Sequence, residues 1–194
     1  MRTLNDWILR FSLSWPLFLL AAAIAFGSIY VFTGVIEPRF VAQTGGSPPF
    51  DLQNRLTVEQ VYAQLPTYTD SARQLYYLFA VIDFAFPLFA SLFLAGIAAF
   101  SLRYLWPRGY DWVTARKLWV LLLLPAFFDW AENIFALTII SAHGHELRGA
   151  AMMMIYSKLG KLSLTLVAQV LAWGLLVLAA GKWLWLRRSL HKTN

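Results

Sequence analysis

The sequence contains no cysteine and little charge. The first absence excludes disulfides, zinc–thiolate centres and thiol redox chemistry within the chain. The second excludes an ordinary water-soluble domain: Asp, Glu, Lys and Arg make up 13% of the residues, where such domains carry about a quarter. No glycine-rich phosphate loop occurs, and serine and lysine form no recognisable nucleophile constellation. What is abundant is apolar, 59% of 194 residues, and it is gathered into long runs.

Four such runs lie at about 16–36, 75–102, 118–140 and 162–184. Each meets the length of about 20 residues that crosses a hydrocarbon core of roughly 30 Å. The pattern predicts an all-α integral membrane protein, with residues 1–194 forming one transmembrane domain built as an antiparallel four-helix bundle. Ten of the sixteen basic residues fall in the first, third and fifth segments outside the runs, which places both termini in the cytoplasm. Trp7, Trp15, Trp106, Trp112, Trp119, Trp183 and Trp185 fall near the same predicted interface. These charges are spread over loop ends and form no compact patch, so no nucleic-acid partner is expected.

Before the first run, Leu4, Trp7, Ile8, Phe11 and Trp15 recur at helical spacing opposite Arg2, Asn5, Asp6 and Arg10. This predicts a short helix lying in the interface. A cleaved signal peptide is the alternative, given the small residues Ala21–Ala23, but the apolar run continues through Phe32 and outlasts a normal signal core. The segment 37–74 is the predicted outer loop. In it, Thr44-Gly45-Gly46-Ser47-Pro48-Pro49 reads as a turn, and Thr57 with Gln60 as a capping box for a helix halted at Pro66. Thr69 or Asp70 then caps the helix of the second run. The loop is either a lid over the bundle's outer mouth or a connector with one surface helix.

Polar residues inside the runs carry the functional signal. Asp129, Glu132 and Asn133 interrupt Leu121–Ile140 and share one narrow arc of a helix. A charge at the bilayer centre costs at least about 2.5 kcal/mol, so these groups must face protein, water or one another. Asp83 lies four residues before Pro87, whose missing amide frees the carbonyl of residue 83. Counted at 1.5 Å per residue, Asp83 and Glu132 both sit about 12 Å below the outer interface. Lys158, Lys161, Thr165, Gln169 and Trp173 form a stripe on the fourth run, with Gln169 at similar depth and Lys161 able to snorkel outward or reach down to the acids.

Several of these stretches resemble a group of uncharacterised four-span bacterial membrane proteins. The resemblance rests on the segment Leu56 to Leu65 (LTVEQVYAQL), on Ser71-Ala72-Arg73 followed by Tyr76, and on Asp83 with Phe86-Pro87. It also rests on Leu124-Pro125 followed by Asp129, Glu132 and Asn133. It covers about residues 56–140, and Ala72 stands where that pattern commonly has glycine. It implies a bacterial inner-membrane location and no particular activity. The layout of four spans, long first outer loop and intramembrane acids is also similar in architecture to the emopamil-binding and sigma-2-receptor-like proteins.

The leading expectation is an outward-opening acidic pocket in which Asp83, Asp129, Glu132, Asn133, Gln169 and Lys161 bind a lipid-like or amphipathic small molecule. Whether it is an enzyme stays open. The alternatives are a proton- or cation-conducting protein and an accessory subunit of a larger membrane complex; the partners expected besides the small molecule are further copies in a homo-oligomer or that larger complex. The same acids could equally be satisfied by Asn133, Gln169, Thr165, Lys161 or tyrosine hydroxyls and fix only helix pairing. No cofactor is expected. His143, His145 and Glu146 offer metal-ligand types, but they lack a fourth partner and a second shell, so no metal site is predicted.

Overall fold

A computed structural model describes residues 2–142 and 145–190, and among these it is all-helical, with no strand. Helix α1 (Arg2–Leu13) buries Ile8 and Phe11 and leaves Trp7 and Arg10 exposed, as the spacing of its apolar residues requires. Helix α2 (Trp15–Val31) starts with Pro16 in its first turn, where a missing amide costs nothing. It runs through a π-helical turn (Phe32–Ile36) into α3 (Glu37–Thr44). Gly45, at a φ of 70°, ends that run in the left-handed conformation that only glycine adopts freely.

The predicted loop is therefore shorter than 37–74. Glu37–Thr44 continues the first apolar helix because Glu37 and Pro38 both suit a helix's first turn. Beyond it, Thr57 and Gln60 close the expected capping box on α4 (Val58–Gln64), their bonds measuring 3.3 and 2.9 Å. Thr69 accepts from the Ala72 amide and caps α5 (Asp70–Leu105), a helix of 36 residues with Pro87 inside it.

Three elements depart further from the sequence reading. A short helix α6 (Pro107–Ala115) follows α5, with Pro107 in its first turn. The third run opens with a 3-10 segment (Leu118–Leu123) before α7 (Leu124–Ser141). Helix α8 (Arg148–Leu190) spans 43 residues and begins fourteen residues before the apolar run at 162. Periodicity missed its start because Lys158 and Lys161 break the apolar run without breaking the helix. Among the described residues, four helices are long and apolar enough to cross a membrane: Trp15–Thr44, Asp70–Leu105, Leu118–Ser141 and Arg148–Ser189.

The packing divides into two ends. At one, Ile8, Leu92, Ala95, Trp119, Leu123 and Ala172 are buried together where α1, α5, the 3-10 segment and α8 meet. At the other, Phe40, Phe50, Tyr68, Tyr76, Ile139 and Met154 bring the loop against α5, α7 and α8. Aromatic rings dominate this second end: Phe50 stacks on Tyr68 at 5.3 Å, and Phe40 meets Tyr76 edge-on at 5.8 Å. Arg73 pins the junction, donating to the Tyr68 and Ile140 carbonyls at 3.1 Å each. Gly160 lets α8 approach α7, since a Cβ there would lie 2.5 Å from the Phe128 ring. That close approach lies between Lys158 and Lys161, on the stretch of α8 that faces the acids of α7.

Candidate functional site

Helix α7 places Asp129, Glu132 and Asn133 on its inner arc, and all three are buried. From α5, Asp83 meets them: the Asn133 amide donates to Asp83 Oδ2 at 2.9 Å and lies 3.4 Å from Asp129 Oδ2. The depth count that set Asp83 beside the polar arc of α7 thus corresponds to a meeting of the two helices, in which Asn133 bridges Asp83 and Asp129. Pro87 opens the α5 backbone nearby, but the indole that exploits it, Trp130 Nε1, donates at 2.8 Å to the carbonyl of Phe84 rather than to that of Asp83.

From α8, Lys161 reaches down to the acids instead of snorkelling outward. Its ammonium lies 2.7 Å from Asp129 Oδ1 and 2.7 Å from Glu132 Oε2, and it also donates to Asp51 Oδ1. One turn earlier, Lys158 pairs with Glu132 Oε1 at 2.9 Å and donates to the Phe50 carbonyl at 2.6 Å. Each ammonium therefore joins α7 to the loop turn Phe50–Leu52. Charge-assisted bonds of this kind are about twice as strong as neutral ones. Burial raises the cost of losing either partner.

Sequence reasoning missed two members of this network. Asp51 follows Pro48-Pro49-Phe50 in a loop, where no periodicity reports which way a side chain faces. Lys158 carried a usable signal, since it lies three residues before Lys161 on the same stripe. Burial pushes the Asp51 carboxyl up, but the ammonium groups of Lys161 and Lys158 outweigh it and hold the group below its ordinary value. Tyr68, stacked on Phe50 of that turn with its hydroxyl unpartnered among the described residues, is pushed above the usual phenol value by burial.

Gln169 does not join the cluster. It is exposed on α8, two turns beyond Lys161, and a step of eight residues rotates it about 80° away from the lysine's direction. His143 lies outside the described residues. His145 and Glu146 are exposed, and Glu146 pairs with Arg148 at 3.2 Å. The grouping with metal-ligand spacing among the described residues lies elsewhere: one oxygen each from Asp51, Asp129 and Glu132, all within 4.8 Å of one another. The Lys161 ammonium bonds to all three residues, so a cation already fills that position.

Two cavities flank the network. One, of about 300 Å³, has Asp51, Asp129 and Lys161 at one end, and apolar walls that include Phe86, Pro87, Phe93 and Leu94. Its exposed lining residues, Phe26 and Ile29 from α2 and Leu162, Gln169 and Trp173 from α8, mark an opening on the flank of the bundle. The other, of about 360 Å³, lies under the loop between Asn54, Arg55, Thr57 and Gln60 and reaches Glu132 and Lys158. The expected single pocket opening outward is thus divided, because the turn Phe50–Leu52 sits over the acids and Asp51 closes the network from above.

No family model matches this chain, and neither do characterised proteins or solved structures.

Proposed function

We propose that this chain is an integral membrane protein whose four long helices cross the bilayer in alternating directions and whose flank cavity binds a lipid-like or amphipathic small molecule. The observation that carries the reading is the cavity's polarity: apolar walls of aromatic and aliphatic side chains end on Asp51, Asp129 and Lys161. Small-molecule sites are mostly apolar with a few convergent polar groups, and about 300 Å³ lies at the lower end of their range. The exposed side chains along its mouth belong to helices long and apolar enough to face hydrocarbon. A molecule dissolved in the membrane would enter sideways and seat its polar head against the acids. The four carboxyl groups outnumber the two ammonium groups around them, which favours a head that donates hydrogen bonds, such as a hydroxyl or an amine. The bacterial inner-membrane location and cytoplasmic termini belong to the same proposal, supported by the basic residues gathered in the first, third and fifth segments.

Native mass spectrometry of the protein in mild detergent tests the binding reading. A small molecule retained by the original chain should be lost in Asp129→Asn and in Ala90→Trp, the latter filling the cavity from α5. Helix content should stay unchanged in both. Retention that is indifferent to both substitutions, or no retained molecule at all, contradicts the proposal.

One observation favours a second reading. The surplus of carboxyl groups, with cavities on two sides of the network, is the arrangement that proton or cation movement would need. Flux measured in vesicles holding the purified protein, compared with Glu132→Gln, separates it from the first.

A further inference from the structure

A third concavity lies on another face of α8 from the flank cavity. It encloses about 850 Å³ between α6, the 3-10 segment and α8, and its lining is apolar but for Arg108. Trp119 and Ala168 form buried floor, whereas Leu121, Val167 and Leu171 are exposed along its length. Trp106 and Trp112 are exposed on the α6 side, beside Arg108. The groove is thus long and apolar, with a positive, aromatic rim at one end.

Its surroundings explain why α6 can hold that rim. The chain turns back at Trp106, which packs so closely over Gly109 that a Cβ there would lie 2.2 Å from the indole ring. Arg116 stacks on Trp112 with 4.1 Å from guanidinium to ring centroid. Lys182 of α8 donates to the carbonyls of Tyr104 and Leu105, which fixes α8 beside the end of α5. Arg103, Arg108, Arg116, Lys117 and Lys182 therefore converge on one end of the molecule, where Asp111 is the acid of the same segment. Among the described residues Arg108 has no carboxylate partner.

We propose that this groove holds an anionic phospholipid of the membrane, its acyl chain along Leu121, Val167 and Leu171 and its phosphate against Arg108 between the two tryptophans. The occupant follows from charge complementarity: an apolar trough alone would take any hydrocarbon, but an unpaired guanidinium at its rim selects a negative headgroup. Tryptophan at headgroup depth and basic side chains facing anionic lipid are the usual arrangement at a membrane interface. This inference rests on the membrane reading proposed above but not on the flank cavity, which lies against a different face of α8, that of Lys161, Thr165, Gln169 and Trp173.

The test titrates the detergent-solubilised protein with phosphatidylglycerol or phosphatidylcholine and counts bound lipid by native mass spectrometry. The original chain should bind phosphatidylglycerol on the order of fivefold more tightly, the effect of one basic residue at a membrane surface. Arg108→Gln should abolish that preference and leave phosphatidylcholine binding unchanged. Val167→Trp, which adds bulk at an exposed position of α8, should block the groove to both lipids. Equal binding of the two lipids by the original chain overturns the proposal, as does a preference that survives Arg108→Gln. A dimer that Val167→Trp dissolves would make a second copy the occupant and also overturn it. Resistance of the expressed protein to alkaline extraction from membranes reads the membrane assignment separately, so that failure of the groove and failure of that assignment are distinguishable.

Discussion

Along α8, Lys158 and Lys161 are tied to carboxylates from α7 and from the loop, whereas Ala168 and Ala172, two to four turns further on, are buried only against apolar side chains. The same helix thus crosses two regions held by different forces. At the loop end, two buried ammonium groups hold three carboxylates together, and aromatic rings from Phe40, Phe50, Tyr68 and Tyr76 pack beside them. At the basic end the buried contacts are apolar, with alanines and aliphatic side chains packed beside Phe11 and Trp119, and close helix approach replaces electrostatics. Substitution should therefore act abruptly at the first end and in proportion to lost volume at the second.

The largest expected effect comes from Lys161→Met, which leaves Asp51, Asp129 and Glu132 facing one another without their shared cation. Removing one partner of a buried pair costs about 3–5 kcal/mol. Thermal unfolding in detergent should show it, with partial recovery when Glu132→Gln is added to the same chain. An unchanged midpoint would erase the distinction between the two ends. At the basic end, Leu92→Ala should cost about 2–4 kcal/mol through the cavity it leaves, and Leu92→Met should recover most of that loss. No charge at the other end should alter either value.

The loop end should also respond to pH, with a sign set by Asp51. Its carboxyl is held below the ordinary value in the folded chain, so its contribution is present above the unfolded value of about 3.9 and is lost as pH falls through the lowered one. The original chain should thus exceed Asp51→Asn by about 2 kcal/mol at pH 7, and the difference should shrink only below about pH 4. A difference that vanishes at neutral pH would remove Asp51 from the network. Smaller still, Thr57→Ala should loosen α4 by about 1 kcal/mol, visible as faster amide exchange over Val58–Gln64 with global unfolding unchanged. Smallest of all, Asp83→Asn should leave stability unchanged or raise it. It keeps an acceptor for Asn133 while removing one of the surplus negative groups.

Much of the loop end was legible in the sequence. The arc of Asp129, Glu132 and Asn133, the level of Asp83 and the caps at Thr57 and Thr69 all follow from helical geometry, which repeats predictably along a chain. Asp51 was not legible, because a loop residue's position depends on where the whole loop packs. The start of α8 was hidden for a related reason. Apolar runs report where a helix is greasy, and charges buried in partnership look the same in sequence as charges in water. Helix α6 was missed because its nine residues are too few for a period to register clearly. The division of the expected outward pocket into a flank cavity and a loop-side cavity could not be read either, since it depends on a single turn, Phe50–Leu52.

Occupancy of the flank cavity is the central claim, and the absence of cysteine offers a direct reading of it. Ser91 is buried and lines the cavity, and Ser91→Cys would put the chain's sole thiol there. The account predicts slow modification by a small membrane-permeant maleimide in freshly purified protein and faster modification after exhaustive detergent exchange strips the bound molecule. A control thiol at Ala22, on α2 outside the cavity lining, should react alike in both preparations. Equal rates at position 91 before and after stripping would contradict the claim that a small molecule occupies the cavity.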